Sequence, residues 1–475
     1  MSPARNRDIG MRAMLRARAM PLIVAVALLL ETLDASVIAT ALPEIARDLG
    51  TSPIHLKLAM TSYLLALAIF IPASGWAADR FGARRVFRWA ITVFAAGSIA
   101  CGMSSSMEAL IAARVLQGIG GSMMVPVGRL IVLRTTAKSD LVSALAWLTV
   151  PALVGPVLGP LLGGFITTYW SWRWIFWINI PIALAGLVLV TLFIPTIRSD
   201  DVRAFDAVGF ALLGPGLAAF LTGITLAGLG LAQPLWSAVF TLGGLALVLA
   251  YARHARRVAA PLIDLTLLRI PTFRIAALGG TFFRVGAGAR PFLLPLLFQL
   301  AFGMTPFQSG ALTFASGAGA MAMKFTAKPI LDRFGFRRVL VVNGILASVL
   351  MLLPMAFSAT TPWPLVVLPL FVAGVGWSLQ FTAINAMAYS DVAAERMSSA
   401  TSFNSVAQQL ARSVGITLAA FGLSGAQAWT GSATLSATEF APVFVLVALV
   451  ALLSVPYFAR LSRDAGGALL ARQAG

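Results

Sequence analysis

Two carboxylic acids stand in the first long apolar segment, whose residues 28–44 read LLLETLDASVIATALPE. Glu31 precedes Asp34 by one helical turn, so a helix places both acids on one face. An unpaired charge inside a bilayer costs several kcal/mol, which makes intramembrane acids candidate functional groups. A carboxyl balanced between burial and a neighbouring cation can gain and lose a proton. We therefore predict that Asp34 couples protons, with a static ion pair as the alternative. Glu31 is a second proton site, a cation-attracting group or the partner of an arginine.

A candidate partner for Asp34 occurs in a later apolar segment, where residues 110–126 read LIAARVLQGIGGSMMVP. Arg114 is permanently charged, so it cannot itself release the transported proton. Its predicted role is to stabilise ionised Asp34 or another carboxylate in the same half of the chain. A structural polar network is the alternative, because intramembrane charges also serve packing.

Further polar side chains fall within later apolar segments. Beyond the first residue of each segment, Glu31 and Asp34 are the only acids, whereas several arginines occur there. The interior is therefore predicted to carry net positive charge, so anionic, zwitterionic and neutral amphiphiles are candidate substrates beside cations. The candidate residues of a substrate cavity are Arg284, Arg290, Gln299, Asn404, Gln408 and Arg412.

The composition places these residues in a membrane. The chain has 475 residues, of which 59% are hydrophobic and 11% charged, and its mean hydropathy is +0.89. Soluble domains carry about 25% charged residues, so an ordinary globular enzyme, a disordered chain and a fibre are excluded. A spanning helix needs about 20 apolar residues, which predicts fourteen spans. Their approximate bounds are 20–43, 56–78, 86–106, 108–130, 140–166, 174–195, 206–230, 235–252, 274–300, 308–330, 339–358, 363–388, 398–423 and 440–459.

The positions of the basic residues indicate an orientation. The net charge is +18, and most of the 35 Lys and Arg residues lie before the first span, in alternate loops and after the last span. Such an excess marks the cytosolic side of a membrane protein. Both termini are therefore predicted to be cytosolic. The same pattern explains the charge without nucleic acid, and it predicts contact with the lipid bilayer.

The sequence contains an internal repeat. Residues 75–87 read GWAADRFGARRVF and residues 328–340 read KPILDRFGFRRVL, each between two predicted spans. Repeated halves with a site between them are typical of secondary transporters. The repeat predicts two six-helix halves and two inserted helices. The predicted segments are a cytosolic tail 1–19, an N-terminal half 20–195, inserted helices 206–252, a cytosolic connection 253–273, a C-terminal half 274–459 and a cytosolic tail 460–475.

The repeat and the span motifs resemble the major facilitator superfamily, and within it the 14-span drug:proton antiporters of the EmrB/QacA type. The first span is similar to the motif L-D-x-T-x-x-N-x-A-L-P, with Ser36 in place of Thr and Ala39 where Asn is common. The fourth matches R-x-x-Q-G from Arg114. Residues 284–299 resemble a subgroup of multidrug exporters in Gram-negative inner membranes. The resemblance implies an all-α polytopic membrane protein with the major facilitator fold.

Two more motifs carry this resemblance. A cytosolic-loop motif, which we interpret as a conformational latch, matches at Gly75, Asp79, Arg80, Gly82, Arg84 and Arg85, with a second copy at Asp332, Gly335, Arg337 and Arg338. The antiporter motif of the fifth span, in which small residues allow close helix packing, matches at Gly155, Pro156, Gly159, Pro160, Gly163 and Gly164. In this family the motif marks exporters that exchange substrate for protons.

The resemblance implies a proton-driven exporter of small amphipathic toxic compounds in a bacterial inner membrane. It implies a monomeric functional unit and no cofactor, with a periplasmic adaptor as a candidate partner. The alternatives are an exporter of one specific lipid or metabolite and, less favoured, a passive channel or structural membrane protein. The sequence lacks a G-x-x-x-x-G-K-[ST] phosphate loop, an H-E-x-x-H motif and a C-x-x-C motif. We therefore expect no ATPase, no metal site and no enzyme activity.

Overall fold

A computed structural model describes the backbone of residues 3–136, 141–196, 204–229, 233–393, 396–432, 434–462 and 465–466. Side chains are described in the same ranges from residue 20 onward, except in 141–153 and 228–229. Within these ranges the secondary structure is helical. The α-helices are α1 (Pro3–Asp48), α2 (Lys57–Phe81), α3 (Ala83–Gly102), α4 (Met107–Thr135), α5 (Leu141–Tyr169), α6 (Trp174–Trp177), α7 (Asn179–Phe193), α8 (Ala207–Leu229), α9 (Pro234–His254), α10 (Pro271–Leu296), α11 (Pro306–Phe334), α12 (Phe336–Val349), α13 (Trp363–Tyr389), α14 (Met397–Thr430), α15 (Ala437–Leu452) and α16 (Ser454–Ala459).

Each predicted span coincides with one helix or with two consecutive helical segments. Among the described residues, nine helical segments are long and apolar enough to cross a membrane. Several of the other long helices carry charges that reduce their apolarity, such as Arg284 and Arg290 in α10 and Lys324 in α11. The all-helical architecture thus agrees with the sequence, whereas fourteen membrane crossings remain a prediction.

The two predicted tails differ in what the structure describes. Helix α1 begins at Pro3, so most of the predicted tail 1–19 is helical and continuous with the first span. Its Ala, Arg, Met and Leu residues are strong helix formers. Most of the predicted tail 460–475 lies outside the described residues.

Several helices begin where their sequence supplies a capping side chain. The hydroxyl of Ser106 accepts a hydrogen bond from the backbone of α4. Thr305 and Gln308 form a capping box at the start of α11, and Ser436 and Glu439 form another at α15. Such caps satisfy backbone N–H groups that the first turn leaves free.

The helices pack as two halves. In the first half, α1 packs on α5 and α4 packs on both α2 and α3. In the second, α10 packs on α14 and α15, and α11 packs on α13. The halves meet chiefly where α5 contacts α11 and α2 contacts α14.

The repeated loop motif has the same local structure in both halves. Gly82 joins α2 to α3 with φ of 90°, and Gly335 joins α11 to α12 with φ of 74°. Residues with a Cβ rarely adopt such a φ, so glycine permits this sharp connection. The repeat therefore marks equivalent turns.

Helices α8 and α9 form a hairpin that docks on both halves, through α2 and α14. Phe205 packs against Trp76 of α2 with a ring-centroid distance of 4.6 Å. Phe210 packs against Phe70 of the same helix at 5.5 Å, and both pairs of rings are tilted. The hairpin is thus packed against the bundle through aromatic contacts.

Asp206 ties the base of this hairpin to the connection that follows it. Its carboxylate lies 2.7 Å from His254 Nε2 and accepts hydrogen bonds from the backbone N–H groups of Gly209 and Leu262. Burial acts to raise the pKa of Asp206, but these hydrogen bonds outweigh it and hold the pKa below its ordinary value.

Candidate functional site

Asp34 and Arg114 form an ion pair in the interior of the N-terminal half. Arg114 Nη1 lies 2.6 Å from Asp34 Oδ2, and each side chain is only 1% exposed. The pair joins the middle of α1 to the first third of α4. The structure therefore brings together the acid and the base that the sequence predicted as partners.

Neutral side chains complete the coordination of this carboxylate. Asp34 Oδ1 accepts hydrogen bonds from Gln117 Nε2 and Asn179 Nδ2, each at 2.8 Å. Both amide nitrogens also donate to the hydroxyl of Ser98. Both carboxylate oxygens are thus occupied by hydrogen-bond donors.

Asn179 and Ser98 are site residues that sequence reasoning missed. Ser98 lies in α3 and Asn179 opens α7, so neither is near Asp34 in the sequence. Asn179 belongs to the segment WRWIFWINIP. An amide side chain in this largely apolar segment was the one sequence feature that could have indicated a site residue. Ser98 gave no comparable indication.

Arg114 has further partners that fix its position. Its Nε donates to the backbone carbonyl of Ala59 at 3.2 Å, and its Nη1 donates to Gln117 Oε1 at 2.5 Å. The guanidinium also lies over the ring of Tyr63, 4.1 Å from the centroid. This cation–π contact and the hydrogen bonds hold the cation against α2.

Glu31 lies one turn before Asp34 but in a different environment. It is 8% exposed and forms no ion pair or hydrogen bond among the described side chains. Arg412 of α14 and Arg129 of α4 lie within electrostatic range of it. Glu31 packs near Gly121 of α4 in its own half, with one arginine of each half in its surroundings, whereas the bonded partners of Asp34 all belong to the N-terminal half.

The candidate cavity residues of the C-terminal half do not form one cluster. Arg284 and Asn404 both donate to Asn385 Oδ1, at 2.9 and 3.2 Å. Arg290 donates to Ser316 at 2.5 Å and lies against the ring of Trp377. Asn385 is another site residue that sequence reasoning missed.

Three other candidates occupy separate positions. Arg412 is solvent exposed in the middle of α14, and Gln408 is half-buried one turn before it on the same face. Gln299 lies three residues after the end of α10 at Leu296. Its side-chain amide donates a hydrogen bond to the backbone carbonyl of Thr40 at 2.9 Å. Gln299 therefore joins the two halves and lies apart from the Arg284 cluster.

In the first loop motif, Asp79 pairs with Arg134 of α4 at 2.7 Å, rather than with an arginine of the motif. Arg84 donates to the carbonyl of Thr191 in α7, whereas Gly75, Arg80 and Arg85 are exposed. The loop thus links α2 and α3 to α4 and α7.

The second copy of the motif uses different contacts. Asp332 pairs with Lys328 of the same helix at 2.6 Å. Arg337 is half-buried, and Arg338 lies over the Phe334 ring at 5.7 Å. The two copies share the glycine turn but not the pairing of their acid.

The glycines of the fifth-span motif lie at helix contacts. A Cβ on Gly155, Gly159 or Gly163 would overlap atoms of α1, and a Cβ on Gly164 would overlap the Pro306 backbone of α11. Pro156 is exposed and Pro160 is half-buried, with its carbonyl beside Gly310 of α11. The motif therefore allows α5 to pack closely on both halves.

The described residues contain no group of three or more His, Cys, Asp and Glu side chains placed to hold a metal ion. Two of the buried acids, Asp34 and Glu439, instead bond to arginine, amide and hydroxyl groups.

Comparison with known families identifies the fold. The sequence profile of the Major Facilitator Superfamily matches residues 24–416 and, in a second match, residues 276–472. The chain belongs to the major facilitator superfamily. It is therefore a multi-pass membrane transporter rather than an enzyme, in agreement with the sequence prediction.

Curated relatives within the superfamily carry the name "Putative multidrug resistance protein MdtD". One, from Klebsiella pneumoniae subsp. pneumoniae, is 38% identical over 460 residues, covering 95% of this chain and 96% of the relative. Another, from Salmonella heidelberg, is 36% identical over 447 residues, covering 93% and 94%. These matches extend over nearly the whole of each protein.

Solved structures of the superfamily share the fold at low sequence identity. A D-xylose–proton symporter superposes with a TM-score of 0.70 at 15% identity, covering 94% of this chain and 98% of the symporter. A bacterial homologue of the human lysosomal transporter Spinster, in an inward-facing and unoccupied conformation, gives 0.67 at 14% identity, covering 94% and 96%. At this identity the likeness concerns the fold alone.

Proposed function

We propose that this transporter is a proton-coupled exporter that moves small amphipathic toxic compounds across the cytoplasmic membrane by alternating access. The observation that carries the proposal is the buried Asp34–Arg114 pair at 2.6 Å. Ionisable residues inside a membrane are costly, and in transporters they mark substrate pathways and proton relays. The name of the curated relatives supports drug efflux as the direction and class of transport.

Protonation of Asp34 would rearrange its hydrogen bonds. A carboxylate only accepts hydrogen bonds, whereas a protonated carboxyl must also donate one. Arg114, Gln117 and Asn179 all donate to Asp34. One of these donors would therefore withdraw when the proton binds. Because the donors belong to α4 and α7, protonation changes how α1 is held against those helices.

Arg114 keeps its charge throughout the cycle and sets the affinity of Asp34 for the proton. Each proton that enters the cell releases about 2.3 kcal/mol of free energy per 100 mV of membrane potential. This energy would drive the substrate outward, without any cofactor. Glu31 would serve as a second proton site, as a cation-attracting group or as the partner of an arginine such as Arg412.

The proposed topology has fourteen spans, arranged as an N-terminal half 20–195, an inserted hairpin 206–252 and a C-terminal half 274–459. The tails 1–19 and 460–475 and the connection 253–273 would be cytosolic. The inserted hairpin corresponds to α8 and α9, which pack against each other. The positive-inside pattern supports this orientation. We place the protein in a bacterial inner membrane as a functional monomer, with a periplasmic adaptor as a candidate partner.

With this orientation, the contacts between the halves would correspond to a state that is closed on the periplasmic side. In the described chain, two hydrogen bonds join the halves: Gln299 donates to Thr40, and the Phe307 backbone donates to Thr168, both at 2.9 Å. Both lie near the proposed periplasmic end. The close contact of α5 with α11 extends from the same end. The antiporter motif would thus seal the outer side while the cavity opens to the cytosol.

The loop motifs would act as the cytosolic latch in the alternate state. Asp79 and Arg134 form a half-exposed pair at the proposed cytosolic ends of α2 and α4. Separation or movement of this pair as the halves close would couple the loop to the cycle.

The test uses everted membrane vesicles with an acidic interior, in which exporters accumulate substrate. Wild type and Asp34→Asn are compared at matched expression with a panel of dyes and drugs. Gradient-dependent uptake that the variant loses supports proton-coupled export. Glu44→Gln is the control that removes an acid outside both the buried pair and the loop motifs, because Glu44 pairs only with exposed Arg47. Uptake that ignores the gradient, or that Asp34→Asn leaves intact, would contradict the mechanism.

Export of a specific metabolite is the second candidate, because one observation favours it. Arg284, Arg290 and Arg412 give the C-terminal half an excess of interior positive charge, which suits an anionic solute better than a lipophilic cation. A narrow substrate range and indifference to cationic dyes would favour this candidate over multidrug export.

A further inference from the structure

Among the described residues of the C-terminal half, the arginines of α10 have no ion-pair partner, and Asp391 is exposed and bonds to Thr272. Residues 271–390 contain a single acid, Asp332, which pairs with Lys328. Residues 396–462 contain a single acid, Glu439, whose carboxylate caps the first turn of α15. Neither neutralises the arginines of α10 and α14. A buried charge without a counter-ion is expensive in a membrane.

Arg284 is the most enclosed of these cations, with 1% exposure. One of its terminal nitrogens, Nη2, donates to Asn385 Oδ1 at 2.9 Å. Its Nε and Nη1 have no hydrogen-bond partner among the described residues. A guanidinium is suited to bind an oxyanion through two parallel hydrogen bonds. Nε and Nη1 of Arg284 are therefore free to donate hydrogen bonds to an anionic ligand.

Neutral side chains prepare the space around Arg284. Asn404 donates to Asn385 Oδ1 and to the Tyr389 hydroxyl, at 3.2 and 2.9 Å. These bonds fix Asn385, whose side chain is half-buried. Gly280 lies one turn before Arg284, and the absence of a side chain there lets Arg284 Nη1 and Ile384 approach the α10 backbone: a Cβ would lie 3.3 Å from Nη1 and 2.8 Å from Ile384 Cγ2.

A polar stripe extends from this cluster along α14. Asn404, Gln408 and Arg412 are four residues apart along α14, so they lie on one face of the helix. Their exposure increases in that order, from buried Asn404 to exposed Arg412. Arg412 also lies within electrostatic range of Glu31 in the other half. An anion attracted by Arg412 can therefore follow the stripe toward Arg284.

We propose that Arg284, Asn385 and Asn404 form a binding site for the anionic group of the transported solute. The ligand class is an amphipathic carboxylate, phosphate or sulfonate. The inference rests on the proposed function, because the site adjoins the cavity through which export would occur. It adds that the substrate carries a negative charge and that Arg284 contacts this charge.

The experiment measures binding to the full-length protein in phosphatidylcholine nanodiscs without a proton gradient. The probes are 4-phenylbutyrate and 4-phenylbutylamine, which share an apolar body and differ in the sign of the charge. We expect the carboxylate to bind better than the amine. Arg284→Gln should weaken carboxylate binding about tenfold or more, the range of a lost charged hydrogen bond, and leave amine binding unchanged. Arg460→Gln, an exposed arginine at the end of the last helix, is the matched control and should change neither.

A second variant separates binding from folding. Asn385→Asp keeps the size of the side chain and places an internal counter-ion beside Arg284. We expect this variant to be at least as heat-stable as wild type and to lose carboxylate binding. Retained carboxylate binding in both Arg284→Gln and Asn385→Asp would overturn the proposal. Equal binding of the two probes to wild type, or no binding of the carboxylate, would also overturn it.

Anionic lipid is the other source of the same chemistry. The measurement is therefore repeated in phosphatidylglycerol nanodiscs. Unchanged carboxylate binding assigns the site to a solute, whereas its loss in the anionic bilayer assigns the site to a lipid headgroup and overturns the proposal. Because binding needs no gradient, its failure is distinct from the loss of proton-driven uptake that tests Asp34.

Discussion

Removal of one partner from the buried ion pair should destabilise the protein strongly. Asp34→Asn leaves Arg114 charged at 1% exposure, without its counter-ion. Breaking a buried pair in this way costs about 3–5 kcal/mol. The surface pair of Asp79 with Arg134 has exposures of 33% and 32%. Because such pairs contribute about 0–1 kcal/mol, Asp79→Asn should have a much smaller effect on stability.

The double variant Asp34→Leu with Arg114→Met shows whether the cost comes from the unpaired charge. It removes both charges and leaves apolar side chains in the buried space. Replacing a buried pair by apolar groups is often neutral or stabilising. We therefore expect the double variant to be more stable than Asp34→Asn, although Gln117 and Asn179 lose an acceptor.

The assay is the free energy of unfolding, measured by titration with sodium dodecyl sulfate in mixed micelles. A complete double-variant cycle with Asp34→Leu and Arg114→Met then gives the coupling between the two side chains. We expect a coupling of about 2 kcal/mol or more. Two results would refute the reasoning: an Asp34→Asn loss no larger than that of Asp79→Asn, or strictly additive single changes.

Three further predictions concern packing, pH and burial. Gly310→Ala should lower the free energy of unfolding by about 1–3 kcal/mol, because its Cβ would overlap the α5 backbone; Gly425→Ala, with open space, should be neutral or slightly stabilising, and equal effects would contradict this. Asp206 has a lowered pKa, so its contribution to stability is present above its ordinary pKa near 3.9 and is lost as pH falls through the lower folded value. The difference in melting temperature between wild type and Asp206→Asn should shrink as the pH falls toward 2, and a constant difference would exclude this origin. Lys57 is buried and its amine has no partner among the described residues, so Lys57→Met should raise the melting temperature; a decrease would show that the amine has a favourable contact.

The membrane architecture was predictable because it depends on local properties of the chain. Long apolar segments predict helices at fixed spacing, and every predicted span has helical structure at its position. The repeated D-R-F-G motif predicted equivalent loops, and Gly82 and Gly335 adopt equivalent positive φ values. A positive φ is a requirement of a single residue, so it can be read from the sequence.

The Asp34–Arg114 contact was also predictable, for an energetic reason. Two opposite charges in one half of an apolar bundle have few other partners, so burial selects the pair. The same reasoning failed to find Asn179, because a buried amide can bond to many groups. The site of Gln299 was equally unpredictable: it bonds to a backbone carbonyl of α1, and every residue offers such a carbonyl.

The sequence by itself determined the membrane setting, the helical segments, the repeat and the identity of the charged residues inside the bundle. Only the tertiary structure decided which face each helix turns toward its neighbours. That choice enclosed Asp34 with Ser98 and Asn179 and placed Arg284 beside Asn385. The physical reason is that partner choice depends on the relative rotation and depth of helices distant in sequence. Packing of the whole bundle sets both.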